Sequence, residues 1–231
     1  MSTRRSLLSR LKDRLIVSCQ PVVDGPMDST AIITALGLAA ADGGSAGLRI
    51  EGADSVRSLA AACSLPIIGL IKRDLSDSPI RITPLLEDVD ALAAAGASII
   101  AYDATQRGRP VPTADIVRRI HDSGLAAMAD CARVDDGRQA MAEGAEILGT
   151  TMSGYAYGEL PEIAPPDFDL IQELAAMDAF VIAEGRMRTP DEAALAIQHG
   201  ADAVVIGSAI TRVEHITSWF SDAIAEAAET T

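Results

Sequence analysis

A chain of 231 residues with 33 acidic against 19 basic side chains, a formal net charge of -14, has room for one large α/β domain, and its charge excludes a nucleic-acid or anionic-membrane surface as main partner. Apolar residues make up 48% but aromatics only 3%, so the core is Ala, Val, Ile and Leu, which suits parallel strands under alanine-rich helices better than an antiparallel sandwich. Cys19, Cys63 and Cys131 have no paired spacing and His121, His199 and His215 are scattered through helical patterns, which argues against a disulfide framework or a metal centre.

No stretch reaches the roughly 18 apolar residues of a membrane span, and the opening "MSTRRSLLSRLKDR" lacks a signal-peptide core, so a cytoplasmic protein is expected. Residues 3–14 predict a short amphipathic helix. Apolar runs follow at "LIVSC" (15–19), "AGLRI" (46–50), "PIIGLI" (66–71), "ASIIAY" (97–102), "LAAMA" (125–129), "EILGT" (146–150), "AFVIA" (179–183) and "DAVVIG" (202–207). Between them lie stretches such as "SVRSLAAAC", "TADIVRRIHDSG" and "TPDEAALAIQHG", with apolar residues at three and four spacing. Strand then helix, eight times over, predicts a closed (β/α)8 TIM barrel, its bottom plugged by the first helix. A doubly wound open sheet would need a Gly-x-Gly-x-x-Gly turn after the first strand, and "SCQPVVDGPMD" has none.

A weak repeat, "AAGASII", "AEGAEIL" and "QHGADAV", puts Gly96, Gly144 and Gly200 at helix ends with positive φ. Thr189 and Pro190 read as an N-cap and first helical residue. "KRDLSDSPIRITP" is the longest irregular connection and a candidate lid over the barrel mouth. No linker or composition shift divides residues 1–231, which predicts a single domain.

Catalytic groups in such barrels sit at the C-terminal ends of the strands. Those positions carry Gln20, Arg49 with Glu51, Lys72, Asp103, Asp130, Thr151, Glu184 with Arg186, and Gly207 with Ser208. Each has a plainer reading beside the functional one. Arg49 and Glu51 flank Ile50 on one face and could be a structural ion pair; Asp103 could merely cap the next loop. Lys72 follows an apolar run and faces an acid at Glu184, where burial would lift the carboxyl pKa and let it keep a proton near neutrality. The glycines of "AEGRMRTPDEA" and "VIGSAITR" bring backbone N–H groups to the barrel top before a helix, a setting suited to phosphate.

From "LIVSCQ" through "GLRIEG", "PIIGLIKRD", "MAD", "GTTMSGY" and "IAEGRMRTP" to "VVIGSAITR", the chain resembles the N-acetylmannosamine-6-phosphate 2-epimerases of the ribulose-phosphate-binding barrel superfamily. The resemblance implies a cofactor-free isomerase of sialic-acid catabolism, acting on phosphorylated N-acetylhexosamines, and makes a homodimer plausible. It implies acid and base roles for Lys72 and Glu184, sugar contacts from Gln20, Arg49 and Asp130, and phosphate contacts from the Gly185–Arg186 region, Gly207, Ser208 and Arg212. The chain departs from the family pattern after "SCQ", with "PVVDGPMDS", and after "MAD", with "CARVDDG". Two other classes share these features: a Schiff-base aldolase using Lys72 as nucleophile, and a phosphosugar-binding barrel without turnover. Trp219 and Phe220 in the last helix either seal it onto the barrel or contribute to a dimer.

Overall fold

The computed structural model describes residues 3–157 and 165–229. Helix α1 (Thr3–Leu11) leads into β1 (Arg14–Cys19), and then come α2 (Thr30–Asp42), β2 (Gly47–Glu51), α3 (Ala53–Ala62), β3 (Ile67–Leu70), α4 (Leu86–Ala95), β4 (Ile99–Asp103), α5 (Thr113–Asp122) and β5 (Ala126–Asp130). The second half runs α6 (Val134–Ala142), β6 (Ile147–Gly149), α7 (Phe168–Ala175), β7 (Phe180–Glu184), α8 (Pro190–Gln198), β8 (Ala203–Ile206), the single turn α9 (Ser208–Thr211) and α10 (Val213–Glu229). All strand pairs are parallel and in sequence order, and β8 closes onto β1 through the register Ile16 to Val205. The expected barrel is the observed one, and each predicted strand lies within a residue or two of its place.

Alternation along the strands divides the apolar residues between two cores. Ile16, Ile68, Ile99, Met128, Ile147, Ile182 and Val205 fill the barrel interior, while Val17, Leu48, Ile67, Ile100, Leu148 and Val181 face the helices. Leu11 of α1 is fully buried in the interior cluster, with Leu7 and Leu8 packed beside it, so α1 plugs the N-terminal mouth as expected. Burying such a leucine is worth about 2 kcal/mol.

The helix ends follow the sequence closely. Gly96, Gly144 and Gly200 have φ of 97°, 100° and 101°, a left-handed turn that lets each helix re-enter the barrel. Thr189 caps α8: its Oγ1 accepts from Glu192 N at 3.2 Å, and Glu192 Oε2 accepts from Thr189 N at 2.9 Å.

The long connection after β3 forms a hairpin stitched to the barrel, and of its residues only Lys72 lines the cavity at the strand ends. Lys72 bridges antiparallel to Ile82, Thr83 N donates to Ile71 O at 2.7 Å, and Asp103 N donates to Ile82 O at 3.1 Å. Ile80 and Ile82 are buried, and Ile82 belongs to the interior core. The last helical stretch, read from sequence as one element, is divided at Arg212 into α9 and α10.

Candidate active site

The C-terminal ends of the strands surround a cavity of about 400 Å³. Lys72, beyond β3, and Glu184, the last residue of β7, both line it, as do Gln20, Gly185, Arg186, Gly207, Ser208 and Arg212. Residues scattered from 20 to 212 in sequence therefore meet in one place.

Two further expected residues, Arg49 and Asp130, form the floor beneath that cavity instead of lining it. Arg49 NH1 and NH2 donate to Asp130 Oδ1 and Oδ2 at 3.1 and 2.6 Å, and both side chains are sealed from solvent. NH1 also lies 3.1 Å from Glu184 Oε2. A buried guanidinium calls for acceptors, and the forked carboxylate of β5 across the barrel serves NH1 and NH2, while the buried Nε has no hydrogen-bond partner among the described residues. The alternative pairing of Arg49 with Glu51 does not form: Glu51 Oε1 accepts instead from the backbone N of Lys72, at 3.2 Å.

Glu184 is fixed from both sides. Thr150 Oγ1 donates to its carbonyl at 2.9 Å and accepts from its N–H at 3.0 Å, so the backbone is locked to the end of β6. Thr151 Oγ1 lies 3.1 Å from Glu184 Oε2 and 2.8 Å from Asp130 Oδ1. Gly149 makes this cluster possible, since a Cβ there would lie 2.6 Å from Met128 Cε, 3.2 Å from Asp130 Oδ1 and 3.3 Å from Thr151 Oγ1.

The electrostatics separate the two candidate proton carriers. Burial pushes the Lys72 ammonium below the ordinary lysine value, Arg49 and Arg212 push the same way, and Glu51 and Glu184 oppose without cancelling them. Burial pushes the Glu184 carboxyl above its ordinary value, against Arg49 and with Asp130, while the Thr151 hydrogen bond and Lys72 hold it back. For Arg49, burial acts to discharge the guanidinium, but Asp130 and Glu184 more than offset it and keep the charge. Lysine pushed down and glutamate pushed up is the pattern that readies one group to accept a proton and the other to give one.

At the other end of the cavity Gly185 has φ 125°, a conformation nearly confined to glycine, and a Cβ there would meet nothing within 4 Å. Ser208 opens α9, so its N–H has no helical carbonyl to take it. Arg212 uses Nε on Gln20 O at 2.8 Å, and Gln20 Nε2 donates to Ser18 Oγ at 2.9 Å. Arg186, by contrast, directs its side chain at the loop after β6: NH1 donates to Ser153 O at 2.5 Å and Nε to Pro165 O at 2.8 Å. Its guanidinium is a strut for that loop.

Asp103 proves to be a loop cap, accepting from Thr105 N and Oγ1 at 2.9 and 2.6 Å and from Arg107 NH2 at 2.7 Å. Sequence reading does not assign Ser18, Tyr155, Met187, Arg188 or His215 to the cavity they line. Trp219, singled out as an aromatic in the last helix, also lines it, with the Arg188 guanidinium 4.7 Å from its ring centre. A helix carrying the chain's one tryptophan is the signal that points there. Among the described residues no group of three or more His, Cys, Asp or Glu could hold a metal ion, and no helix is long and apolar enough to cross a membrane.

Residues 33–226 match the family described as "NanE: Putative N-acetylmannosamine-6-phosphate epimerase". The chain belongs to this family. A solved structure of the N-acetylmannosamine-6-phosphate 2-epimerase from Clostridium perfringens superposes with a TM-score of 0.90 at 40% identity, covering 94% of this chain and 95% of that one. A Haemophilus influenzae protein named "Putative N-acetylmannosamine-6-phosphate 2-epimerase" is 49% identical over 96% of this chain and 97% of its own length. The "Bifunctional enzyme NanE/NanK" of Brucella melitensis is 55% identical over 96% of this chain, and the match spans 43% of that longer protein. The family that the sequence motifs suggest is thus the one to which the chain belongs.

Proposed function

We propose that this protein interconverts N-acetylmannosamine 6-phosphate and N-acetylglucosamine 6-phosphate by removing and returning the proton at carbon 2. The observation that carries the reading is the convergence of Lys72 and Glu184, with opposite displacements of proton affinity, on one cavity of a family member. Acid–base pairs of this kind suit proton abstraction next to a carbonyl, and the reaction is redox-neutral, so it calls on no electron carrier.

In this reading the open-chain sugar is anchored by its phosphate at Gly185, Gly207, Ser208 and Arg212. Binding energy from the unreactive phosphate then aligns carbon 2. The free amine of Lys72 takes the proton, the electron pair of the broken C–H bond moves toward the carbonyl, and the buried positive charge of Arg49 next to Glu184 favours the enolate. Glu184 delivers a proton to the opposite face, and the reverse reaction exchanges the two roles. Gln20 is placed to contact the sugar from the pocket wall, whereas Arg49 and Asp130 act through the side chains above them.

The acidic charge of the chain supports a small anion held locally rather than a polyanion. A sugar phosphate does not cross a bilayer unaided, which supports a cytoplasmic site of action. We further read residues 1–231 as one catalytic unit that works as a homodimer. Helix α10 buries none of its residues and exposes Val213, Phe220 and Ile224, an apolar face that a second copy would cover.

The test of the reaction is proton NMR of N-acetylmannosamine 6-phosphate with the purified protein in heavy water, without metal or nucleotide. The expected product is N-acetylglucosamine 6-phosphate carrying deuterium at carbon 2. Folded protein that yields neither epimer nor deuterium overturns the reading.

A further inference from the structure

Thr151, in the turn just beyond β6, has one hydroxyl hydrogen and two carboxyl neighbours. Its Oγ1 lies 2.8 Å from Asp130 Oδ1 and 3.1 Å from Glu184 Oε2, and both distances are those of hydrogen bonds. A hydroxyl offers a single donor hydrogen, so at any moment Thr151 donates to one of these oxygens and not to the other. Arg49 does not remove the shortfall. Its fork is spent on both oxygens of Asp130, with one NH1 hydrogen left to turn toward Glu184 Oε2. One guanidinium and one hydroxyl thus serve two carboxyl groups, and the cluster has two settings. With Glu184 ionised, the hydroxyl hydrogen points at Oε2, where the charge is. With Glu184 protonated, it points at Asp130 Oδ1. Passing between them requires rotation about the Cβ–Oγ1 bond and nothing more.

We propose that Thr151 is a positioning residue whose hydroxyl swings from Asp130 to Glu184 as Glu184 gives up its proton, and swings back when the proton returns. The hydrogen bond then reaches Glu184 in the state left after proton delivery, so a buried carboxylate is not stranded next to Asp130. The step balances without a further reactant: the Glu184 O–H bond breaks, its electron pair stays on the carboxyl oxygen, the proton passes to the substrate, and the Thr151 O–H bond stays intact as it turns. The catalytic moment rests on the epimerase reading above, whereas the exchange of hydrogen bonds is a property of the free protein. The charged groups facing Glu184 are Arg49 of β2, Lys72 beyond β3 and Asp130 of β5. All of them stay in place when Thr151 alone is changed.

The experiment follows the carboxyl carbon of Glu184 by NMR in protein labelled with 13C-glutamate, the signal being identified by its loss in Glu184→Gln. Thr151→Val keeps the shape and removes the hydroxyl; Thr151→Ser keeps the hydroxyl. Asp130 keeps both Arg49 hydrogen bonds when the hydroxyl leaves it, whereas ionised Glu184 has a single Arg49 contact besides the hydroxyl. Thr151→Val therefore costs the ionised state more and is expected to make Glu184 a weaker acid, about threefold in its ionisation constant, with Thr151→Ser returning it to the wild-type midpoint. The limb of the kcat profile that Glu184→Gln abolishes moves the same way, with KM changed by less than about twofold. A Glu184 midpoint unmoved in folded Thr151→Val overturns the proposal, and Thr151→Ala decides the same point where the valine variant does not fold. Wild-type protein without epimerase activity would overturn the function reading instead, and the NMR midpoint would still decide the part played by Thr151.

Discussion

Arg49 and Asp130 face each other across the barrel, from β2 to β5, and are joined by two parallel hydrogen bonds with neither side chain open to solvent. Removing one partner of such a pair leaves a charge without compensation. Asp130→Ala is expected to cost about 3 kcal/mol, the low end of the range for a broken buried pair, because Glu184 still offers Arg49 one contact at 3.1 Å. Urea unfolding monitored by circular dichroism measures it, and a loss below about 1 kcal/mol would mean that the floor relaxes around the cationic side chain.

Lys72 and Glu184 carry the chemistry in the proposed reaction. Lys72→Ala and Glu184→Ala are each expected to lower turnover by about 100- to 10,000-fold with the fold preserved, the usual worth of a positioned acid or base. Steady-state assays beside a thermal melt check this. A variant that keeps more than about a tenth of wild-type activity removes that residue from the mechanism.

Legibility in the sequence is uneven for a physical reason. The strands, the helix-ending glycines and the Thr189 cap are set by residues near one another in sequence, so periodicity and turn chemistry locate them. Strand ends share a rim in any barrel, which is why Lys72, Glu184 and the glycines after β7 and β8 can be grouped from the strand pattern alone. What local pattern cannot give is the partner across the barrel. Arg49 and Glu51 do share a face, yet the partner of Arg49 lies 81 residues away, while Glu51 turns to the backbone of Lys72. Arg186 lines the cavity after β7, as its place in the sequence suggests, but the bonds of its guanidinium to the loop after β6 follow from no local pattern.

Glu184 should also reveal itself in stability. Its folded-state proton affinity is raised by burial, so it favours the folded state most below the unfolded carboxyl range, near pH ~4, and that contribution is lost as pH rises through the folded value. Glu184→Gln cannot ionise. Melting temperatures measured from about pH 4 to 8 are expected to show this variant gaining on wild type as pH rises, even as activity is lost. A gap that stays constant over that range would mean that Glu184 titrates alike in both states.

Gly185 offers a test of the phosphate end. At φ 125° any L-residue is strained by about 1–3 kcal/mol, although a Cβ there has open space around it. Gly185→Ala is therefore expected to displace the loop rather than to clash. The expected signature is a KM raised about tenfold with kcat changed much less, and weaker inhibition by inorganic phosphate. An unchanged phosphate inhibition constant would separate this loop from the anion.

Glu51 supplies a pH prediction of the opposite kind. Its carboxylate raises the proton affinity of Lys72 against the lowering by burial, Arg49 and Arg212, and its Oε1 accepts from the Lys72 backbone N–H at 3.2 Å. Glu51→Gln keeps an amide oxygen for that hydrogen bond and removes the charge. With the negative charge gone, the Lys72 ammonium loses its proton more readily, so the limb of the rate profile on which Lys72 must become a free amine is expected to move to lower pH. Activity on the acidic side of that limb should rise relative to wild type, while the ceiling falls if the amine becomes a weaker base. A kcat profile over about pH 5 to 10 reads both effects. Movement of the limb to higher pH would contradict the sign, and no movement at all would mean that Glu51 serves Lys72 only through the backbone.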